Sequence, residues 1–451
     1  MTVVLKFGGA ALKDRAGLLH AAGLVRAQGG RRIVVVSAMA GVTDLLRQAL
    51  ADALRDAASI EPVLDRLRRQ HEEALGGRPS APLQAVFERL ERALRGAALT
   101  QEATPRLRDL LGTFGERLAV VVFAAVLAET GVPARAFDAE AARVLSLGPF
   151  GQANPDLPGL RRECAPRLEA ALAAGEVPVV TGYYGVDGNG NATLFGRGGS
   201  DYVAALVAHA VQAEALELWK DVPGFLVADP KAVPGARLVP QLRYDEAAEL
   251  ANYGARILHP RTIEPLENDR IPLRIRSLAD PKAPGTLVQT SPQGPPARSI
   301  ATLGDLAVLR LSGAGMASTP GMGARILAPL AAAGINVINL AAGGASMALL
   351  VAAADVEAAK QALAPLVGGP MQGLEAHAGR SLVCVVGRGL GETPGSAAAI
   401  LGAVGARGVN VEMISLGASA IAIDFVVRRE DEARAVQALH EHFEAVLEVA
   451  A

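Results

Sequence analysis

The chain has 451 residues, a length that suggests two or three domains. Its 44 Lys+Arg nearly cancel its 46 Asp+Glu, leaving −2, which is neither the basic footprint of a nucleic-acid binder nor an acidic tail. With 51% hydrophobic, 20% charged and 4% aromatic residues and two cysteines, the composition excludes global disorder, a stacking platform for single strands, a disulfide scaffold and a four-cysteine zinc site.

From the N-terminus, Val3-Val4-Leu5 is a short β-rich run that ends in Lys6-Phe7-Gly8-Gly9, and an amphipathic, helix-prone stretch follows to about Ala27. The chain opens without a charged signal region. Ile33-Val34-Val35-Val36-Ser37 is a continuous apolar run that suits a strand buried on both faces. Residues 44–130 are rich in Ala, Leu, Arg and Glu and read as mostly helical. Their longest apolar run, 118–128, is shorter than the ~18–20 residues of a membrane span. A cytoplasmic protein is expected, with Cys164 and Cys384 as buried thiols. Val177-Pro178-Val179-Val180-Thr181 reads as another buried strand, residues 202–215 as a helix and 216–219 as a strand. The alternation predicts an α/β sandwich with a mostly parallel sheet, in which ligands gather at the carboxyl ends of strands.

Several segments at such ends carry chemistry. The turn containing Lys6, Gly8 and Gly9 lets backbone N–H groups and one ammonium approach an anion; a plain tight turn is the alternative. No P-loop, protein-kinase catalytic loop or dinucleotide fingerprint is present, so a phosphate would be held by another scheme. Residues 37–43 are small, with a hydroxyl at each end, and Thr43 either lines a polar loop or caps a helix. Glu116 opens an apolar helix, where a carboxylate favours the helix dipole or binds a substrate ammonium.

Gly196-Arg197-Gly198-Gly199-Ser200-Asp201 forms the strongest local signal, an anion cradle with a guanidinium fork suited to a carboxylate. Asp201 either caps the following helix or positions a reacting group or metal. Lys220-Asp221 and Asp229-Pro230-Lys231 suit a nucleotide pocket, and residues 254–261 add cations. His259 reads as a packed structural histidine. No residue set has zinc-ligand spacing, so no protein-held metal is expected.

Residues 289–299 are rich in Pro, Ser and Gln and read as a linker. Beyond them the sequence repeats. Thr319-Pro320-Gly321 returns as Thr393-Pro394-Gly395, and Gly334-Ile335-Asn336-Val337 as Gly408-Val409-Asn410-Val411, each 74 residues later. Gly313 and Gly387 keep that offset. The pattern is a duplicated βαββαβ module of the ferredoxin-like kind. It carries no nucleophile or paired acids and so reads as a binding or assembly unit.

Together these blocks resemble the aspartate kinases of the amino-acid kinase family with paired C-terminal ACT domains. The likeness spans nearly the whole chain, and residues 44–115 are similar to the insertion of its longer single-chain members. The resemblance implies a three-layer kinase domain over 1–288, a linker over 289–300, and ACT domains over 301–375 and 376–451 with possible interleaving. It implies MgATP-dependent phosphorylation of the L-aspartate side-chain carboxylate, the first step of lysine, threonine and methionine biosynthesis. By the same resemblance Lys6 and Asp201 serve the reacting centre, while Thr43, Glu116, Arg197 and Ser200 bind aspartate. Gly8, Gly9, Lys220, Asp221, Lys231 and Arg256 join Lys6 around ATP. An effector, lysine or threonine, would bind near Asn336, Val337, Asn410, Val411 and Ser415, often across a homodimer. Ala10 and Ala11 stand where the family has Thr-Ser, Lys231 where it has Arg, Arg256 where it has Lys, and Leu226 where it has Tyr. A non-catalytic amino-acid sensor and a kinase of another acid are the alternatives.

Overall fold

The computed structural model describes residues 1–254, 257–292 and 299–450. The chain forms two compact units, one from Met1–Phe225, Pro240–Ala247 and Ile257–Pro292, the other from Leu226–Val239, Ala248–Arg256 and Gln293–Ala451. The first unit is therefore not an unbroken run to residue 288, since the segments 226–239 and 248–256 belong with the second. Residues 293–298, at the centre of the expected linker, and Arg256 lie outside the described residues.

The first unit is built on an eight-stranded sheet ordered Gln241–Leu242, Thr286–Val288, Leu273–Ser277, Ala215–Lys220, Thr2–Phe7, Arg31–Val36, Val177–Thr181, Ala134–Phe137. Leu273–Ser277 and Thr286–Val288 run antiparallel, and the other neighbours run parallel. Ile33, Val34, Val35 and Val36 are all buried, because helices cover both faces of the sheet, as the apolar run requires. On one face Leu5, Phe7, Val34 and Val36 join a core with the helices Arg15–Gln28 and Phe114–Glu129. The helix Gly199–Ala210 packs on the other face. Phe7 sits with its ring centroid 5.8 Å from Phe123 and 6.3 Å from Trp219, and emptying that position would cost about 3–5 kcal/mol.

Residues 42–129 form five α-helices, Val42–Ala53, Ile60–Ala74, Ala81–Thr100, Pro105–Gly112 and Phe114–Glu129. Ser80 and Thr104 cap two of them, accepting from the amides of Leu83 and Leu107, with proline in the first turn of each. The last helix keeps the β-branched run Val120-Val121-Val122 because tertiary burial outweighs propensity. It stops before Thr130 and Gly131, whose φ is +81°.

The last two successive helices span 25 residues, Pro105–Glu129, and their most apolar 18-residue stretch has a mean hydropathy of 1.9, long and apolar enough to cross a bilayer, contrary to the estimate from residues 118–128. They are core helices, 78% buried over that stretch, and the second carries the buried Arg117 paired with Asp138 and Glu140.

The helix expected over 202–215 runs instead from Gly199 to Ala210. It starts early because Gly198 adopts a left-handed N-cap (φ +69°), and it stops because the chain reverses at Gln212 (φ +47°) so that Ala215 can open the next strand.

The second unit carries a six-stranded antiparallel sheet ordered Asn339–Ala342, Ser346–Ala352, Ser299–Ser312, Gly373–Val386, Ala422–Arg428, Met413–Ser415. Two cores flank it. One gathers Ala307, Leu309 and Leu311 with the helices Met322–Ala332 and Val356–Leu363. The other gathers Ile300, Val383 and Val385 with the helix Ser396–Ala406 and the start of Glu432–Ala450. The long strands Ser299–Ser312 and Gly373–Val386 thus each serve both cores. They shift register between Leu303 and Leu306, where Asp305 has φ +58°. The boundary placed at residue 375 falls inside one of these shared strands.

Candidate active site

Parallel pairing aligns Phe7 with Val36 and with Trp219. The carboxyl ends of three neighbouring strands therefore open side by side, and the turns after Thr2–Phe7 and Arg31–Val36, with segments 195–201 and 259–261, line one cavity of about 940 Å³. Lys6, Gly9, Ser37, Thr43, Glu116, Arg197, Ser200 and Asp201 all line it. Six of the catalytic and substrate residues expected from sequence are thus brought together: Lys6, Thr43, Glu116, Arg197, Ser200 and Asp201.

At its floor Lys6 Nζ lies 2.6 Å from Asp201 Oδ1, and Lys220 Nζ lies 2.6 Å from Asp201 Oδ2. Lys6 and Asp201 are each only 6% exposed. Burial alone would raise the Asp201 carboxyl, but the two ammonium groups outweigh it and hold it down at about 2. Burial also lowers Lys6, against the pull of Asp201, with Lys220 adding to the lowering. Asp201 is therefore not a helix cap. Gly198 takes that place, leaving the carboxylate to bridge two lysines.

Glu116 stands opposite, 3% exposed. Gly115 before it is required, since a Cβ there would lie 2.7 Å from Ala38 Cβ, and this close approach lets Glu116 Oε1 accept the Ala38 N–H at 3.1 Å. Its other oxygen is buried, with the Ser200 side chain a polar neighbour of the carboxyl besides the Ala38 amide, its own amide and Lys6. Burial pushes the carboxyl up to about 8, against the pull of the Ala38 amide and Lys6. A buried acceptor aimed into a cavity suits an incoming cation. With Glu116 neutral, two lysines around one carboxylate leave the floor cationic, as two anionic reactants need.

The glycine turn fits a phosphate. A Cβ on Gly8 would lie 3.3 Å from Lys6 Nζ, and one on Gly9 would lie 3.3 Å from the Ala38 carbonyl oxygen. Gly9 lines the cavity and Gly8 adjoins the ammonium. Ala10 and Ala11 do not line it. Ala11 is buried in the core beside helix Arg15–Gln28. Among the described residues no group of three or more His, Cys, Asp or Glu side chains gathers to hold a metal ion. Mg²⁺ would accordingly be held through nucleotide phosphates, whose charge it would neutralise.

Thr43 is the second residue of helix Val42–Ala53 and caps nothing, because Gly41 (φ +78°) is the N-cap. His259 is more than packing: it lines the cavity, accepts the Arg261 amide on Nδ1, and blocks any side chain at Gly198, where a Cβ would come 2.2 Å from its own Cβ. Lys220 reaches the cavity's residues through Asp201. Asp221 is exposed and does not line it. Lys231 is exposed and belongs to the second unit, its amide turned to Asp229 Oδ1 at 2.8 Å. Asn336 and Asn410 are exposed, Val337, Val411 and Ser415 half-buried, all in the second unit.

Sequence reasoning missed Tyr183, Arg47 and Gln152, which also line the cavity. Tyr183 lies two residues beyond the strand Val177–Thr181, so the carboxyl-end rule would have found it. Arg261 had been read only as one cation among several. Its guanidinium donates to the carbonyls of Phe195 and Ala153, both at 3.0 Å, and lies 4.6 Å from the Tyr202 ring centre. Asp109 joins the same two loops from the other side, accepting the amides of Gly151 at 2.7 Å and Leu194 at 2.9 Å.

A sandwich over a mostly parallel sheet, with a lysine–glycine turn, a buried glutamate and an arginine gathered in one cavity, suits an ATP-dependent kinase acting on an amino acid. A model of the amino acid kinase family matches residues 1–277, and an ACT domain model matches 309–365 and 383–443. The chain is 33% identical to the lysine-sensitive aspartokinase 3 of Escherichia coli (strain K12), over 97% of this chain and 98% of that protein. It is 32% identical to the chloroplastic aspartokinase 1 of Arabidopsis thaliana, over 98% of this chain and 80% of that protein. Among solved structures, E. coli aspartokinase III in complex with aspartate and ADP (R-state) has a TM-score of 0.83 at 31% identity, covering 98% of this chain and 99% of that one. The same enzyme with lysine and aspartate (T-state) matches equally. The chain belongs to the aspartokinase branch of the amino acid kinase family.

Proposed function

We propose that this chain transfers the γ-phosphoryl group of MgATP to the side-chain carboxylate of L-aspartate, giving 4-phospho-L-aspartate, under feedback by lysine or threonine at its ACT pair. The observation that carries this reading is the cationic Lys6–Asp201–Lys220 floor facing Glu116 and Arg197 in one cavity. A carboxylate is already a nucleophile, so the chemistry needs charge cancellation and in-line placement rather than a base. Lys6 and the Gly8–Gly9 amides stabilise the charge on the transferring phosphoryl group, and Asp201 keeps Lys6 and Lys220 aimed at it. Glu116 takes the substrate ammonium, Arg197 a substrate carboxylate, and Thr43 and Ser200 complete the aspartate contacts. Lys220, Asp221, Lys231 and Arg256 serve the nucleotide.

The domain division of this reading is a kinase domain over 1–288, of which 226–239 and 248–256 group with the second unit, a linker over 289–300 and two ACT domains. The reading also includes effector binding near Asn336, Val337, Asn410, Val411 and Ser415, a homodimer through the ACT domains, and a cytoplasmic location. The lysine sensitivity and the lysine-bound T-state of the E. coli relative support lysine as the effector. Incubation with MgATP and aspartate, trapping the acyl phosphate as a hydroxamate, tests the reading, with lysine and threonine added singly. Turnover suppressed by one of them is the expected result. Effector binding without any hydroxamate would establish a sensor instead.

A further inference from the structure

A second cavity of about 510 Å³ adjoins the first, between the helices Val42–Ala53 and Pro105–Gly112. Its size falls within the range of small-molecule sites. Leu46, Leu50 and Leu111 form a buried floor, with Leu54 and Leu194 half-buried beside them. Its polar side chains are mainly cationic. Arg47 is engaged by Asp44 at 2.9 Å. Arg55 and Arg108 line the cavity, both exposed to solvent and without a carboxylate partner among the described residues, and Arg108 only donates Nε to the Ala103 carbonyl at 3.0 Å. No Asp or Glu lines the cavity.

We propose that this cavity binds an acyl carboxylate, with the hydrocarbon body on the leucine floor and the carboxylate between Arg55 and Arg108. The lining selects this class. A neutral apolar molecule would use the leucine floor but gain nothing from the two cations, which water already solvates. A free amino acid or an amine would bring an ammonium against two like charges with no acid beside them. A guanidinium fork matches a carboxylate in charge and shape.

The site is coupled to the first cavity, because Thr43, Arg47 and Tyr183 line both. Tyr183 is held at φ +71°, an uncommon conformation for a residue with a side chain. Gly199 accepts no Cβ, since one would come 2.8 Å from the Tyr183 carbonyl oxygen. A ligand in the second cavity therefore presses on a constrained wall of the first, and its occupancy raises the aspartate KM. That kinetic part rests on the aspartate kinase reading; binding itself does not.

Calorimetry with decanoate, decan-1-ol and decyltrimethylammonium decides the matter on the full chain. Decanoate is expected to bind at one site per chain, and the other two probes are not. Arg55→Ala with Arg108→Ala should weaken decanoate by about tenfold or more. Leu54→Trp should fill the cavity and abolish binding while circular dichroism shows an intact fold. No binding of decanoate to the unaltered chain, or equal binding by decan-1-ol or by the double variant, overturns the proposal. Decanoate bound with aspartate KM unmoved overturns the coupling. A chain that never phosphorylates aspartate defeats the functional reading instead, and calorimetry still decides the site.

Discussion

Lys6 Nζ lies 2.6 Å from Asp201 Oδ1, joining the end of the first strand to the first turn of the helix Gly199–Ala210. Both groups are buried, so the pair is little screened by water. Lys6→Ala is expected to lower turnover by about 10²-fold or more, as loss of a transition-state charge contact does. Steady-state hydroxamate assays check this, and near-normal turnover would remove Lys6 from the reaction. Asp201→Ala should lower turnover too, because Lys6 and Lys220 lose their aim, and should also act on the fold. It leaves two buried ammonium groups facing each other and should cost about 3–5 kcal/mol, read as a fall in the urea midpoint.

Arg197→Lys keeps the charge but loses the planar fork. The KM for aspartate should rise by about tenfold, with the KM for ATP nearly constant. Equal increases in both would contradict the assignment of Arg197 to aspartate.

Glu116 titrates at about 8 in the free protein because burial opposes its charge. Below that pH it is protonated, and above it the carboxylate is free to receive an ammonium. Aspartate binding at pH 7 should therefore displace a proton from Glu116, and the aspartate KM should fall as pH rises through 8. Titration calorimetry in buffers of different ionisation enthalpy measures that proton. Glu116→Gln should abolish its release, and an unchanged release would show that another group titrates.

Arg261 and Asp109 tie together the two loops that close the cavity. Arg261→Ala should lower kcat/KM by about tenfold through misplacement of Arg197 and Ser200. The same variant should speed hydrogen exchange at residues 151–154 and 195–199. Faster exchange with unaltered kinetics would confine Arg261 to stability.

Asn410→Ala should blunt lysine inhibition and leave uninhibited turnover intact, because Asn410 lies in the second unit, away from every residue of the catalytic cavity in sequence and unit. Inhibition curves at fixed aspartate test this, and a superimposable curve would move the effector site elsewhere.

The sequence by itself determined the alternating architecture, because buried parallel strands must be continuously apolar and Ile33–Val36 is such a run. It determined the duplication through two copies of one turn pattern, and it placed Lys6, Glu116, Arg197 and Asp201 beside glycines where backbones approach closely. Only the tertiary structure decided which alternative each residue took. Asp201 and Thr43 were each readable as a cap or a ligand from local rules, and the outcome turned on Gly198 and Gly41 occupying the caps. The roles of Tyr183, Arg261 and Asp109, and the strands shared by both ACT cores, left no local signature. They depend on contacts between segments far apart in the chain, and burial, which sets the charge of Glu116 and Lys6, exists only once those segments have met.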